Sequence, residues 1–235
     1  MLAKYAIEVK ELSKKFRAEF SLFRPRRPKK YVFKDVSFRV KEGEVFGLVG
    51  KNASGKTTLA KILSTILLPT RGDALVGGYS IINQMRKVRG IIGFVSGQER
   101  DFGWRLSGRE NLDFFSALHN ISFSQSSKRI SVLANLLGIE QYLDIPFSEY
   151  SSGVRQRFSI AKGLLHEPRI IFMDEPTKSL DDDIIMRLRI FIREKLIKKE
   201  GKTVFITMPD SGRVSLFTDR IAFLENGSVI VQNTK

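Results

Sequence analysis

The chain has 235 residues, 42% hydrophobic and 28% charged, with no cysteine and a formal net charge of +15. That composition is of a globular chain, not a disordered one, and without cysteine it excludes a disulfide scaffold; it leaves enough apolar material for one large domain or a domain carrying an inserted one. No apolar run reaches the roughly 18 residues of a membrane-spanning helix, and Lys4 and Glu8 interrupt any secretory signal, so the expectation is a cytosolic chain or one held at a membrane by a partner.

Residues 1–30 hold ten basic residues against Glu8, Glu11 and Glu19, so +7 of the +15 sits there, concentrated in RPRRPKK (24–30). Such a run attracts polyanions, either anionic lipid headgroups or nucleic acid. A solvated loop punctuated by prolines is the equally simple reading.

Strand character appears in AIEVKEL (6–12) and YVFKDVSFRV (31–40). EVFGLVG (44–50) is nearly all apolar, as expected of a strand buried on both faces of a parallel sheet. GKNASGKTT (50–58) follows at once, and then the helix-like LAKILSTILL (59–68). This is the pattern G-x-x-x-x-G-K-T between a strand and a helix, the setting that marks a phosphate-binding loop.

The residue types have physical reasons. Gly50 and Gly55 permit backbone dihedrals and close approach that a side chain would block, so N–H groups contributed by Lys51, Asn52, Ala53, Ser54, Lys56, Thr57 and Thr58 can face one anion. The positive end of the helix dipole faces the same point. Lys56 can reach the β- and γ-phosphates of a nucleotide, and the Thr57 hydroxyl can ligate Mg²⁺.

Farther along, RIIFMDEP (169–176) is a second buried-strand run ending in two acids. An Asp-Glu pair alone is most simply an exposed turn or a helix cap. At the carboxyl end of such a strand, in a chain with a phosphate loop, Asp174 is expected to hold Mg²⁺ and Glu175 to polarise an attacking water.

With these motifs in place, the chain resembles the nucleotide-binding subunit of an ATP-binding cassette (ABC) transporter along nearly its full length. YSSGVRQR (150–157) resembles the family's signature loop, Gln98 in SGQERDFGW falls at the Q-loop glutamine, and Asp181 in KSLDD falls at the D-loop aspartate. The wording around GQERDFGW, GRENL and YSSGVRQR is most similar to subunits that serve exporters of drugs, polysaccharides or lipids.

The resemblance implies an α/β fold with a RecA-like P-loop NTPase core, an antiparallel β subdomain and an inserted α-helical subdomain. The whole chain 1–235 would be one ABC ATPase domain, with the core in 1–97 and 161–235 and the helical subdomain in 98–160 ending at the signature. It also implies ATP and Mg²⁺ as ligands, with Gln98 joining Thr57 and Asp174 around the metal and Glu175, Gln98 and Lys56 acting in catalysis. Two subunits would sandwich ATP, so that Ser151, Ser152 and Gly153 act in trans on the γ-phosphate. A transmembrane permease and a second ABC ATPase subunit, like or unlike, are the implied partners. Location at the cytoplasmic face of the membrane follows, peripheral and reached through the permease, with segment 24–30 as a further contact. Nucleic acid is not an expected partner, although the basic N-terminus keeps a soluble ABC ATPase acting on nucleic acid or ribosomes as the rival reading.

Adenine is held by stacking, and the family position after a lysine-rich turn points to Phe16, with Phe20 or Tyr31 as alternatives. Phe102 and Trp104 either anchor a transmembrane partner or pack inside the helical subdomain. His119 and His166 match no catalytic motif and read as isolated.

One position departs from the family. After VFIT (204–207) the family carries a histidine that contacts the γ-phosphate, and aligning Asp219-Arg220 with the family's pair places Pro209 there. Proline has no side-chain donor and no N–H, and a carboxylate at Asp210 would repel the phosphate. Val154 likewise stands where the signature ordinarily has glutamine. The expectation is intact ATP binding with weakened hydrolysis, either in one half of a heterodimer, in a slow homodimer, or in a slow regulatory module.

Overall fold

Continuous apolar runs dictate the most buried strands, and the alternating ones lie at the margins. The structure, a computed structural model, describes residues 5–16, 31–96 and 101–233. The chain divides into two units, residues 1–90 with 207–235 and residues 91–206.

The first unit begins with β1 (Tyr5–Lys15), β2 (Tyr31–Lys41), β3 (Val45–Val49), α1 (Lys56–Leu63), β4 (Arg71–Val76), β5 (Tyr79–Ser80) and α2 (Met85–Arg89). The second unit holds β6 (Ile92–Ser96), α3 (Gly108–Leu118), α4 (Phe123–Leu137), α5 (Ser152–Leu164), β7 (Ile170–Asp174), α6 (Asp182–Ile190) and a π-helix (Phe191–Lys199). β8 (Thr203–Met208) leads back to the first unit, which closes with α7 (Ser211–Ser215), β9 (Arg220–Glu225) and β10 (Ser228–Asn233).

In the first unit, β2, β1, β4 and β5 form an antiparallel sheet in that order. β2 alternates as its sequence predicts, burying Phe33, Val36, Phe38 and Val40, and Phe38 stacks on Phe46 of β3 with centroids 5.5 Å apart. Beside it β3 runs parallel to β9, and β9 turns antiparallel into β10. That turn is Asn226-Gly227, both at positive φ, the residue pair that a tight hairpin favours.

The start of β9 is tied to the start of β3 by charge. Asp219 Oδ2 accepts from Val45 N at 2.8 Å, and Arg220 donates to both carboxylate oxygens of Glu44, at 2.9 and 2.5 Å. Arg220 also donates to Arg39 O at 2.8 Å, and Lys41 N donates to Glu44 Oε1 at 2.6 Å. The Asp-Arg pair is therefore a structural clasp between strands.

Helix α1 differs from its sequence reading, which began at Leu59 and ran to Leu68. It starts at Lys56 and stops at Leu63. Ser64 Oγ donates back to Ala60 O at 2.7 Å, and Thr65 takes a left-handed conformation at φ 60°. Thr65 N then donates to Ile62 O and Ile66 N to Lys61 O, the paired bonds of a Schellman cap formed without glycine. The apolar residues beyond it, Ile66 and Leu68, are exposed.

In the second unit β6 runs parallel to β7, with β8 on the other side of β7. All five residues of β7 and all six of β8 are buried, the double-faced burial that their largely apolar runs predict. Helix α3 opens with a capping box: Ser107 Oγ accepts from Glu110 N, and the Glu110 carboxylate accepts from Ser107 N at 2.7 Å.

Aromatic packing settles Phe102 and Trp104 differently. Phe102 is buried and stacks on Phe147 with centroids 4.4 Å apart. Trp104 is 46% exposed, with the Arg155 guanidinium 4.5 Å from its centroid. The two histidines that looked isolated are in contact. His119 and His166 stack in parallel with centroids 3.9 Å apart, because the end of α3 meets the end of α5. No helix among the described residues is long and apolar enough to cross a membrane.

Candidate functional site

The loop between β3 and α1 is wrapped around an ammonium group. Lys56 is buried, and its Nζ donates to Gly50 O at 2.7 Å and Lys51 O at 3.1 Å. The crest formed by Lys51, Asn52 and Ala53 is exposed, while Ser54, Thr57 and Thr58 are half-buried.

Backbone geometry holds this shape. Ala53 lies at φ 63° and Gly55 at φ 110°, both left-handed, and a Cβ on Gly55 would stand 2.5 Å from Val32 Cγ1. A Cβ on Gly50 would stand 2.7 Å from both Leu224 O and Ser54 Oγ. Both glycines of the motif are thus required by the space around them, as well as by conformation.

Helix α1 receives no side-chain cap at Gly55 and has no acidic residue in its first turn. The Ser54 hydroxyl is buried with no hydrogen-bond partner among the described residues. An uncapped positive helix end, a buried cation and an unsatisfied hydroxyl beside them form a cradle suited to a phosphate.

In the second unit β7 delivers the acidic pair. Asp174, the last residue of β7, is 9% exposed, and Glu175 follows at φ 51°. A left-handed glutamate costs on the order of 1 kcal/mol, the kind of local strain found where a side chain must be aimed. Among the described residues no three His, Cys, Asp or Glu side chains gather around a metal site. A single strand-end carboxylate such as Asp174 is in keeping with magnesium, which takes few protein oxygens and completes its shell with phosphate and water.

The signature segment is held by local bonds. Ser151 caps α5, its Oγ accepting from Val154 N at 3.3 Å, while Ser152 is exposed. The Tyr150 hydroxyl donates to Tyr142 O and to Ile145 O, and burial pushes its pKa up to about 12, so it remains a protonated structural donor. Val154 is buried, which explains an apolar residue in place of the polar one that the family pattern predicts.

Contacts that no motif announces join this segment to the loop after the acidic pair. A Cβ on Gly153 would stand 2.6 Å from Ser179 O, so only glycine permits the approach. Gln156 Nε2 donates to Pro176 O at 3.2 Å, and Arg157 Nη2 pairs with Asp181 Oδ2 at 2.7 Å. Asp181 sits at the N-cap of α6 without capping it, because its carboxylate is turned to Arg157. The spacing Gly153, Gln156, Arg157 is the i, i+3, i+4 face of a helix and was the available signal.

The remaining expected residues are placed as follows. Phe16 and Tyr31 are exposed aromatics, at 48% and 42%, each with a lysine ammonium over the ring, Lys14 at 5.0 Å and Lys15 at 5.5 Å. Gln98, Phe20 and segment 24–30 lie outside the described residues. β8 ends at Met208, and Pro209 and Asp210 are exposed. The Asp210 carboxylate has a local task, capping α7 by accepting from Gly212 N at 2.9 Å.

Comparison with known proteins identifies the family. The sequence pattern described as ABC transporter matches residues 33–178. The ATP-binding protein NatA of Bacillus subtilis is 32% identical over 197 residues, 84% of this chain and 79% of NatA. The doxorubicin resistance ATP-binding protein DrrA of Mycobacterium tuberculosis is 36% identical over 200 residues, 85% of this chain but 60% of DrrA. The chain thus spans less than two thirds of the length of some relatives. Among solved structures, the ATP-binding cassette MJ0796, a dimer in a post-hydrolysis state bound to ADP and Pi, superposes with a TM-score of 0.83 at 25% identity. That likeness covers 97% of this chain and 99% of MJ0796. With the phosphate cradle and the acidic strand end in this order, the chain belongs to the ABC transporter family, as one of its ATP-binding cassettes with the RecA-like P-loop fold.

Proposed function

We propose that this chain is the ATP-binding and hydrolysing subunit of an ABC exporter for drug-like or lipid-like compounds. The observation that carries the reading is the loop closed on the buried Lys56 ammonium at an uncapped, acid-free helix start. The doxorubicin-resistance relative supports the direction and class of the cargo.

In this reading Gly50 to Thr58 bind the phosphates through backbone N–H groups, and Lys56 draws charge from the β- and γ-phosphates. Phe16 stacks on adenine. Thr57, Asp174 and Gln98 hold magnesium. Held there, magnesium would supply positive charge against the phosphates of the nucleotide. Glu175, aimed by its left-handed backbone, accepts the proton of the attacking water.

Ser151, Ser152 and Gly153 complete the site of a second cassette, and Asp181 reports across the same interface. The dimeric cassette structures support this arrangement. Closure on ATP and reopening after hydrolysis drive a separate transmembrane permease at the cytoplasmic face of the membrane. Residues 98–160 serve as the helical subdomain that receives the permease, with exposed Trp104 at its edge. Segment 24–30 adds electrostatic attraction to anionic lipid.

Pro209 lowers the expected rate and favours a heterodimer with one slow site, or a regulatory cassette, over a fast homodimer. The test is Mg²⁺-dependent ATP turnover by the full chain beside Glu175→Gln, with nucleotide binding measured on both. Turnover lowered about 100-fold or more by Glu175→Gln at unchanged binding is expected. Failure of the wild-type chain to bind ATP overturns the reading, and binding without turnover assigns the chain to the slow half of a heterodimer.

A further inference from the structure

A cavity of about 160 Å³ opens in the second unit, away from both nucleotide motifs in the sequence. Its lining is contributed by α4, the end of α5 and the π-helix. Leu133, Leu164, Leu165 and Leu196 make a buried apolar floor, with Phe191 at one side. An apolar cavity of roughly 150 Å³ admits a benzene-sized body.

Charge at the mouth is unbalanced. Arg129 pairs with Glu167 at 2.9 Å and Lys202 with Glu200 at 2.8 Å, so two of the four lining cations are neutralised. Lys128 and Lys195 remain, and among the described residues neither has a carboxylate partner. The Lys195 ammonium lies over the Phe191 ring at 5.4 Å.

The π-helix has a part in the shape. Its hydrogen bonding from residue i to i+5, seen in Glu200 N to Lys195 O at 3.0 Å, brings residues four and five apart onto one face. Phe191, Lys195, Leu196 and Glu200 share that face and all line the cavity. An α-helix would carry this set around its axis and away from the opening, and π-helical turns are frequent at functional sites.

We propose that this cavity binds a small aromatic carboxylate of one or two rings, its body on the leucine floor and its head between Lys128 and Lys195. The site is independent of the nucleotide reading and would let such an acid act on the second unit without competing for ATP.

The test is isothermal titration of the full chain with 2-naphthoate and with uncharged 2-naphthylmethanol. Saturable binding of 2-naphthoate is expected at one site, weakened about 10-fold in the Lys128→Gln/Lys195→Gln double variant while the alcohol is unaffected. Val132→Trp, at the exposed rim, is expected to block both probes. Absence of saturable 2-naphthoate binding overturns the proposal. So does equal affinity for the two probes, or a double variant that binds 2-naphthoate as the wild type does. Melting temperatures within a few degrees of wild type confirm that each variant is folded.

Discussion

Arg157 Nη2 stands 2.7 Å from Asp181 Oδ2, which joins the helix of the signature segment to the loop that follows the acidic pair. The same two segments meet at Gly153 and Ser179, where nothing larger than glycine fits. A shift in one segment must therefore be felt by the other, and in the proposed dimer the signature segment completes the site of the second cassette. Asp181→Asn tests this coupling. The Asp181 side chain is 78% exposed, so the ion pair contributes at most about 1 kcal/mol to stability. ATP turnover is expected to fall about 10-fold through lost positioning, with nearly unchanged melting and ATP binding. Gly153→Ala is expected to have the larger effect on turnover, because its Cβ collides with a backbone carbonyl.

Pro209 offers the opposite experiment, a gain. It is exposed at the end of β8, and Asp210 beside it is engaged in capping α7, so neither can contact a γ-phosphate as a donor. Pro209→His restores an imidazole at the end of a fully buried strand that fixes its origin. Turnover in the presence of Mg²⁺ is expected to rise about 10-fold or more. An unchanged rate in a folded variant would mean that Glu175 alone sets the pace.

The clasp at Arg220 concerns stability. Arg220 and Glu44 have side chains only 19% and 10% exposed, and Glu44 also serves Lys41 N. Arg220→Ala leaves that carboxylate partly buried without its cation, a loss of about 3 kcal/mol. Chemical denaturation should show the midpoint falling at constant slope. A loss below about 1 kcal/mol would show that water takes the place of the guanidinium.

Much of this was legible in the residues. β3 is an unbroken apolar run and β7 and β8 are largely apolar, and the phosphate loop is a local motif whose backbone demands can be met only by glycine at Gly50 and Gly55. What could not be read depends on contacts distant in sequence or on hydrogen bonds that end an element early. LAKILSTILL reads as helix throughout, yet the Ser64 hydroxyl and left-handed Thr65 close it at Leu63. The Arg157–Asp181 pair spans separate motifs, and the stacked His119 and His166 are separated by α4 and α5. The i, i+3, i+4 spacing marks the face of α5 that carries Arg157, but nothing in the sequence names its partner or pairs the two histidines, because each contact is made by the packing of whole helices.

The histidine stack predicts a pH dependence. His166 Nε2 lies 2.8 Å from Ile92 O, its Nδ1 is buried without a partner among the described residues, and Arg129, Lys202 and His119 raise the local potential. Burial, the largest cause, lowers its pKa from 6.5 to about 4, and burial lowers that of His119 as well. Between those values the unfolded chain binds the proton that folded His166 refuses, so stability is complete above pH 6.5 and is lost as pH falls toward 4. The loss is on the order of 2–3 kcal/mol, allowing for partial exposure. Carboxylates titrate in the same range, so the measurement is a difference: urea midpoints of wild type and His166→Leu at pH 7.5 and 4.5. The variant is expected to lose less stability than wild type on acidification, by about that amount. Parallel losses in the two proteins would show that the stacked pair takes up its proton without opening the end of α5.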